Sequence, residues 1–259
     1  MILEYKGANI FYTDQGKGSA IVLLHGFLEN SSMWNDFASE ISKNHRVICI
    51  DLLGHGQTEC LGYVHTMEDM SDAVVAVLNH LKIRRSIFIG HSMGGYVALA
   101  FAEHFPDNVK GLCLLNSTTR ADSEERKHLR SRAILAAKRE YKSLVRMSIA
   151  NLFRPKNRAV FKEEINQVKK EALKTPLQGY IAAQEGMKLR EDREVLLHFS
   201  PYKKMMVIGK KDPILNYEEL IEQTQNSEVE VVELQDGHMS YIENKKPLFA
   251  ALKKFIRSC

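Results

Sequence analysis

A short turn from Gly90 to Gly94, with the pattern Gly-x-Ser-x-Gly around Ser92, constrains this chain more than any other feature. Residues 86–89 before it form a short apolar run with β-branched side chains, which predicts a buried strand. Residues 95–102 after it are rich in alanine and predict a helix that packs on the sheet. At the apex of so tight a turn, a serine takes a strained backbone conformation and its hydroxyl points away from the sheet. The succession of strand, sharp turn and helix therefore predicts a nucleophilic serine.

The same stretch offers one alternative, because Gly90 and Gly95 have the spacing of the two glycines in a phosphate-binding loop. That motif continues with a lysine and then a serine or threonine. This chain has Tyr96 and Val97 at those positions, so we reject a phosphate-binding loop.

The composition is that of an ordinary globular protein, with 44% hydrophobic and 26% charged residues in a chain of 259. That length fits one large domain or one domain that carries an insertion. Residues 1–14 show no basic region followed by an apolar stretch, so we expect no signal peptide, and no run is long enough to span a membrane. The four cysteines lie far apart and without the spacing of metal ligands: Cys49, Cys60, Cys113 and Cys259. We therefore expect a reduced, cytoplasmic protein.

Positive charge is concentrated in one segment of the chain. Residues 120–194 hold 19 Lys and Arg against 11 Asp and Glu, a balance of +8, whereas the whole chain has a formal charge of +4. Such an excess either attracts an acidic substrate or partner or, more commonly, lies on solvated helix faces. No nucleic-acid-binding motif is present and aromatic residues are not interleaved with the basic ones, so we expect no nucleic-acid partner.

Strand-like runs alternate with helix-like stretches through the first 117 residues, which predicts a mostly parallel sheet with helices on its faces. The first two strands are predicted to form a hairpin joined at residues 6–8, and the capping pattern of Thr66 and Asp69 marks the start of a long helix. The predicted strands cover residues 2–6, 9–14, 20–24, 46–50, 86–89 and 109–115.

The pattern changes between residues 118 and 199, where no strand-like run occurs and apolar residues recur at helical spacing. The first such stripe contains Leu129, Ala133, Ala137, Tyr141 and Leu144. Strands resume at residues 204–209 and 230–234, and an amphipathic helix closes the chain. We therefore predict an α/β core of residues 1–117 and 200–259, with residues 118–199 inserted as a helical cap.

A serine hydroxyl is a weak nucleophile and needs a general base, which is itself oriented by an acid. In folds with this turn, the two partners follow the serine in the order acid, then histidine. Of the ten histidines, only His238 lies beyond the last two predicted strands, in a loop loosened by Gly237. His198 precedes any plausible acid, and we interpret it as a packing or surface residue. We therefore predict His238 as the base.

The predicted acid is Asp212, which follows the seventh predicted strand. The carboxyl ends of parallel strands meet at one edge of a sheet, so we expect Asp212 beside Ser92 and His238. Asp236 is the rival, but it lies two residues from His238 and suits a turn. Asp51 also ends a strand, but it precedes the serine and its glycine-rich surroundings indicate a turn.

The negative oxygen that forms during attack on a carbonyl needs two preorganised N–H donors. The residue after the nucleophile, Met93, supplies one at a helix start, and the loop after the third strand supplies the other, which we assign to the amide of Phe27. The side chains next to these groups are predicted to line the substrate pocket: His25, Leu28, His91 and Met239. Alternatively, His25 and the glycine after it only form a turn and hold the loop in place.

Three motifs follow three core strands: His25-Gly26-Phe27, then Asp51-Leu52-Leu53-Gly54-His55-Gly56, then Gly90-His91-Ser92-Met93-Gly94-Gly95. Together they resemble the α/β-hydrolase superfamily, in its capped serine hydrolase and esterase group. The resemblance implies an α/β-hydrolase fold with an eight-stranded, mostly parallel sheet flanked by helices, and a helical cap inserted after the sixth strand. It also implies a triad of Ser92, Asp212 and His238. A serine at position 92, where dehalogenases and epoxide hydrolases of the superfamily carry aspartate, points away from those two activities.

From these residues we expect a serine hydrolase that cleaves a small-molecule carboxylic ester or thioester and needs neither metal nor cofactor. Carbon–carbon bond hydrolases use the same triad. Menaquinone-pathway synthases resemble this chain in further residues, but they carry an arginine where it has Tyr96. An alternative of a different class is a non-enzymatic ligand receptor, because some hormone receptors resemble this fold and keep an intact triad. Repeated turnover of an ester separates an enzyme from such a receptor.

Overall fold

Eight strands form one sheet in the computed structural model, which describes residues 1–259. The strands are β1 Ile2–Tyr5, β2 Ala8–Gln15, β3 Ala20–Leu24, β4 Arg46–Ile50, β5 Ser86–His91, β6 Val109–Leu115, β7 Lys203–Gly209 and β8 Glu230–Leu234. Across the sheet they follow the order β1-β2-β4-β3-β5-β6-β7-β8. The pairs β1–β2 and β2–β4 are antiparallel, and all other neighbours are parallel. The predicted fold class is confirmed.

Ten helices accompany the sheet. They are α1 Asn35–Ile41, α2 Met67–His80, α3 Met93–His104, α4 Glu124–Leu152, α5 Lys162–Ala172, α6 Leu177–Leu189, α7 Val195–Phe199, α8 Tyr217–Thr224, α9 Ser240–Glu243 and α10 Lys245–Ser258. None of these helices combines the length and the apolar character that a membrane span requires.

Apolar layers cover both faces of the sheet, as the side chains of β3 illustrate. All five residues of this strand are buried, which is expected for a strand with helices on both sides. Val22 and Leu24 belong to a layer that includes side chains of α2, α3 and α8. Ile21 and Leu23 belong to the opposite layer, with side chains of α1 and α10. Because helices and apolar side chains cover both faces of the sheet, the loops at the strand ends are the part of the core that these layers leave uncovered.

Two local predictions from the sequence are confirmed. The β1–β2 turn contains Lys6 at φ +50° and Gly7 at φ +82°, the pair of positive values that a tight hairpin favours. At the start of α2, the Thr66 hydroxyl accepts the N–H of Asp69 at 3.0 Å, and the Asp69 carboxylate accepts the N–H of Thr66 at 3.1 Å. This reciprocal capping box satisfies amides that the first helical turn leaves without partners.

The segment between β6 and β7 contains α4 to α7 and no strand, as predicted. The predicted face of its first helix is partly wrong, because Leu129 is 52% exposed. Leu129 lies near the start of α4, well before a kink at Glu140, where φ is −137° and ψ is 57°. The buried residues of this helix are Ile134, Ala137, Val145 and Ile149. A spacing rule for one continuous helix cannot anticipate such a break, and the division of the chain into core and cap domains stays a prediction.

A third apolar cluster joins this helical segment to loops of the sheet. Val145 of α4, Phe153 just after that helix and Tyr180 of α6 pack in one cluster with Leu28 and Met239. Leu28 follows β3 and Met239 follows β8, so the helical segment lies against the loops at the carboxyl ends of these strands.

A buried carboxylate joins distant parts of the helical segment to each other, and one of its partners packs on α3. The fully buried Asp122 side chain forms ion pairs with Arg130 of α4 and with Arg190, whose Nη1 lies 2.6 Å from Asp122 Oδ1. The Arg190 guanidinium also lies 4.2 Å from the ring centre of Tyr96. Burial alone would raise the pKa of Asp122, but the two arginines lower it below its ordinary value.

Replacing Asp122 with asparagine leaves two arginine side chains without their buried counter-charge. We expect Asp122→Asn to lower the free energy of unfolding by about 3 kcal/mol or more, as breaking a buried ion pair does. Urea denaturation at neutral pH measures the difference. The matched control is Glu124→Gln, which breaks the exposed pair with Lys127 at 2.8 Å and should leave the free energy of unfolding almost unchanged. Equal effects of the two variants would contradict a structural role for the buried pair.

Candidate active site

The turn between β5 and α3 places Ser92 in a strained conformation, with φ +49° and ψ −114°. The two glycines of this turn are required because there is no room for a Cβ atom at either position. A Cβ atom on Gly90 would lie 2.3 Å from the carbonyl oxygen of Gly94, and one on Gly94 would lie 2.4 Å from the carbonyl oxygen of Leu24. Any other residue at either position would collide with the backbone. The Gly-x-Ser-x-Gly pattern is therefore explained by close packing around the serine.

The structure brings together the three side chains predicted as nucleophile, acid and base. His238 Nε2 lies 2.9 Å from Ser92 Oγ, and His238 Nδ1 lies 2.8 Å from Asp212 Oδ2. The Asp212 side chain is fully buried and that of His238 is nearly so, whereas Ser92 is half-buried. An ionised carboxylate only accepts hydrogen bonds, so Nδ1 carries the ring proton and Nε2 is free to accept the serine proton.

Further hydrogen bonds fix the carboxylate of Asp212. Its Oδ1 accepts the N–H groups of Ile214 at 2.8 Å and Leu215 at 3.1 Å. Its Oδ2 accepts the side-chain amide of Asn116 at 3.2 Å. Burial alone would raise the pKa of Asp212, but the His238 ring and the two backbone amides lower it below the ordinary value of 3.8. The carboxylate is therefore ionised throughout the neutral range.

The two rival acids have other partners. Asp236 accepts a hydrogen bond from Arg154 Nη1 at 2.9 Å. Asp51 accepts the N–H of Ser31 at 2.6 Å and the N–H of Gln57 at 2.8 Å. Both carboxylates therefore organise loops, in keeping with the turn roles expected from the sequence.

Two backbone donors beside the serine are unused. The N–H groups of Phe27 and Met93 donate to no acceptor of the protein. Met93 is the first residue of α3, where the helix dipole favours negative charge. The loop that carries Phe27 touches the serine, because a Cβ atom on Gly26 would lie 3.3 Å from Ser92 Cβ. Leu28 adopts φ +64°, which is unfavourable for a residue other than glycine and turns the chain sharply after Phe27.

The prediction that His25 lines the substrate pocket is corrected by its contacts. This side chain is completely buried, its Nδ1 donates to the carbonyl oxygen of Gly26 at 2.8 Å, and its Nε2 accepts the N–H of Leu52 at 2.8 Å. Both ring nitrogens are therefore used to join the loops after β3 and β4. Leu28 and Met239 are buried in the apolar cluster beneath the helical segment, and their role as pocket residues stays a prediction.

His91 is likewise corrected from a pocket residue to a supporting one. Its side chain is 1% exposed, its Nδ1 lies 2.7 Å from Glu29 Oε2, and its Nε2 lies 3.1 Å from the carbonyl oxygen of His238. No polar atom of the ring is left for a substrate.

Sequence reasoning missed three residues that support this site. The first is Asn116, which donates to Asp212 as described above. The second is Ser117, whose hydroxyl donates to the carbonyl oxygen of Ser92 at 2.8 Å, and the third is Glu29, which contacts His91. Asn116 and Ser117 directly follow β6, so a search for polar residues after every parallel strand would have found them. Glu29 lies five residues beyond β3 and carried no such signal.

No three His, Cys, Asp or Glu side chains are grouped so that they could hold a metal ion. All four cysteines carry free thiols. The polar groups gathered around Ser92 are thus a hydroxyl, an imidazole, a carboxylate and two backbone N–H donors, the set that acyl transfer through a serine uses.

Comparisons with known proteins agree with this fold. A family model described as alpha/beta hydrolase fold matches residues 19–137. A thermophilic esterase from Thermogutta terrifontis has a similar structure, with a TM-score of 0.92 and 29% identity over 99% of this chain and 96% of that one. The whole chain therefore has the α/β-hydrolase fold, and its residues 19–137 match the family of that name.

Two curated relatives show how the similarity is distributed. An uncharacterized protein of Mycobacterium tuberculosis is 37% identical over 102 residues, which is 39% of this chain but only 30% of the relative. The 3-oxoadipate enol-lactonase 2 of Acinetobacter baylyi is 24% identical over 246 residues, which is 94% of this chain and 90% of that enzyme. The chain thus spans less than a third of the first relative's length and nearly the whole of the second.

The lowered pKa of Asp212 makes a prediction about acid stability. Above pH 3.8 the carboxylate is ionised in folded and unfolded chains, and its contacts stabilise the fold. As the pH falls below this value the unfolded chain binds the proton first, so this stabilisation is lost through the lower pKa of the folded state. We expect the difference in unfolding free energy between the native chain and Asp212→Asn to be constant at neutral pH and to shrink below pH 3.8. Denaturant titrations at a series of pH values measure it, and a difference that does not change with pH would contradict the assignment.

Proposed function

We propose that this protein is a serine hydrolase that cleaves a carboxylic ester or thioester through an acyl-enzyme on Ser92. The observation that supports this most strongly is the hydrogen-bonded series from Ser92 Oγ through His238 to Asp212, beside two unused backbone donors. A hydroxyl, an oriented base and free N–H groups together are suited to form and stabilise a tetrahedral intermediate.

In the first half of the reaction, Ser92 Oγ attacks the substrate carbonyl while His238 Nε2 takes the hydroxyl proton. Asp212 keeps the imidazole in the correct tautomer and stabilises the imidazolium that forms. The N–H groups of Phe27 and Met93 bind the negative oxygen of the tetrahedral intermediate. When the intermediate collapses, His238 returns the proton to the departing alcohol or thiol, and the acyl group stays on Ser92.

In the second half, water replaces the leaving group. His238 takes a proton from the water as it attacks the acyl carbonyl, the same two N–H groups bind the new oxyanion, and the proton passes to Ser92 Oγ as the acid leaves. Each step uses groups of this chain, with water as the second substrate.

The surroundings of the site favour an uncharged ester over a strongly anionic substrate. The ring centres of Phe27 and of Tyr180 in α6 lie 5.0 Å apart. Leu28 and Met239 belong to the same apolar region. Tyr96, at the position where the related synthases carry arginine, packs against the Arg190 guanidinium, which is ion-paired with Asp122.

The names of similar proteins support the ester class as well. The Thermogutta structure is described as an esterase and the Acinetobacter relative as an enol-lactonase, and a lactone is a cyclic ester. Part of the basic charge in residues 120–194 is internally paired, because Arg120 contacts Glu194 and Arg193 contacts Glu68 and Glu103. This pairing reduces the positive charge that is free to attract an acidic substrate.

The proposal predicts the effect of removing the nucleophile. We expect Ser92→Ala to lower kcat for a short p-nitrophenyl ester by about 10⁴-fold or more. Its free energy of unfolding should change by less than about 1 kcal/mol, because the side chain loses only its hydroxyl. Initial rates measure the first quantity and urea denaturation the second. The control is Ser143→Ala, which alters an exposed serine of α4. Full activity of Ser92→Ala would overturn the proposal.

A fluorophosphonate probe separates an enzyme from a receptor with the same triad. We expect one probe per chain, attached at Ser92 and located by mass spectrometry of peptides, together with many ester turnovers per molecule. Labelling at Ser92 with no turnover across a panel of acyl lengths and leaving groups would favour a ligand receptor and contradict the enzymatic proposal.

A further inference from the structure

A second histidine–carboxylate pair lies directly behind the catalytic groups. The Glu29 and His91 side chains are 3% and 1% exposed, and Glu29 Oε2 lies 2.7 Å from His91 Nδ1. The other ring nitrogen of His91 lies 3.1 Å from the backbone carbonyl oxygen of His238. The rings of His91 and His238 are 5.1 Å apart, centre to centre.

These contacts fix the protonation of His91. A carbonyl oxygen only accepts hydrogen bonds, so Nε2 must carry a proton to bond with His238. Glu29 Oε2 also accepts the N–H of Gly26 at 2.7 Å, which stabilises the ionised carboxylate. An ionised carboxylate only accepts hydrogen bonds, so Nδ1 carries the second proton. A ring with both nitrogens protonated is an imidazolium. The pair is therefore a buried cation and a buried anion.

The electrostatic surroundings agree with that geometry. Burial alone would lower the pKa of His91, but the Glu29 carboxylate and the His238 carbonyl raise it above its ordinary value. Burial would likewise raise the pKa of Glu29, yet the His91 cation lowers it. The remaining groups near the ring are His25, Asp212 and Tyr241, and Tyr241 stays neutral because burial raises its pKa.

The ion pair contacts or adjoins three segments of the proposed active site. Glu29 holds the N–H of Gly26, and the next residue supplies the Phe27 oxyanion donor. His91 precedes Ser92 in the chain and holds the backbone of His238. Three loops that are distant in sequence are thus bonded to one charged pair, which leaves no atom of the His91 ring for a substrate.

We propose that Glu29 and His91 form a buried, charged clamp that positions His238 and the oxyanion loop for the attack by Ser92. Both are positioning residues, because they act through backbone groups of the site. This inference rests on the proposed function for its effect on rate, whereas the charge state of the pair is independent of it. Loss of the clamp misplaces reacting groups, so it lowers kcat and leaves substrate affinity almost unchanged.

The charge state is tested on the intact protein by NMR of ¹⁵N-labelled histidine, with His91→Gln used to assign the signals. At about pH 7.5, one unit above the ordinary pKa of histidine, we expect protons on both ring nitrogens of His91. In Glu29→Gln the same ring should become neutral. A neutral His91 ring in the native chain at this pH would overturn the proposal, whether or not the protein hydrolyses esters.

The effect on rate is tested with Glu29→Gln, which keeps the size and polarity of the side chain and removes its charge. We expect kcat for a p-nitrophenyl ester to fall about tenfold or more, KM to stay within about twofold, and fluorophosphonate labelling of Ser92 to slow in parallel. His91→Gln should give a similar loss, and the double variant should be no worse than either, because each removes the same ion pair.

The matched control is His65→Gln, which alters another buried histidine whose ring accepts the N–H of Leu61 at 3.0 Å and contacts none of these groups. It should retain kcat within about twofold once folding is verified by circular dichroism. Native kcat in folded Glu29→Gln and His91→Gln, or a rise in KM in place of the fall in kcat, would contradict the clamp. If Ser92→Ala retained activity, the proposed function would fall instead, and the NMR result would still decide the charge state.

Discussion

The backbone conformation of Ser92 is the constraint on which the rest of the structure depends. A positive φ at a residue with a side chain is unfavourable and persists only where the surroundings hold it. Here the N–H of Ser92 donates to the carbonyl oxygen of Leu115 at 2.9 Å, and its own carbonyl oxygen accepts the hydroxyl of Ser117 at 2.8 Å. Leu115 ends the neighbouring parallel strand β6 and Ser117 lies two residues beyond it, so the end of that strand maintains the turn.

From that fixed point the site assembles at one edge of the sheet. The loops after β3, β5, β7 and β8 supply an amide donor, the hydroxyl, the carboxylate and the imidazole, and polar side chains after β6 brace two of these groups. Parallel strands bring residues far apart in sequence to a common edge, as the separation of 146 positions between Ser92 and His238 shows. The helical segment then packs on the same loops through Leu28 and Met239, which encloses the edge in apolar surroundings.

The sequence was informative wherever one local pattern determined the structure. The glycines around Ser92 predict the sharp turn, and the strands that end before Asp212 and His238 predict where these two side chains lie. Neither prediction requires knowledge of distant contacts. The kink at Glu140 and the role of Glu29 had no such local pattern, because they depend on packing between segments that the sequence does not align. His25 and His91 were misassigned for the same reason, since proximity to a catalytic residue does not tell which way a buried ring faces.

A crystal structure of the protein after reaction with a phosphonate ester is the most direct test that Ser92 is the nucleophile and that the amides of Phe27 and Met93 bind the oxyanion. The adduct resembles the tetrahedral intermediate. We expect phosphorus to be bonded to Ser92 Oγ, with one phosphoryl oxygen about 2.7–3.1 Å from the backbone nitrogens of both Phe27 and Met93. A phosphoryl oxygen turned away from these two nitrogens, or an adduct on any other residue, would contradict it.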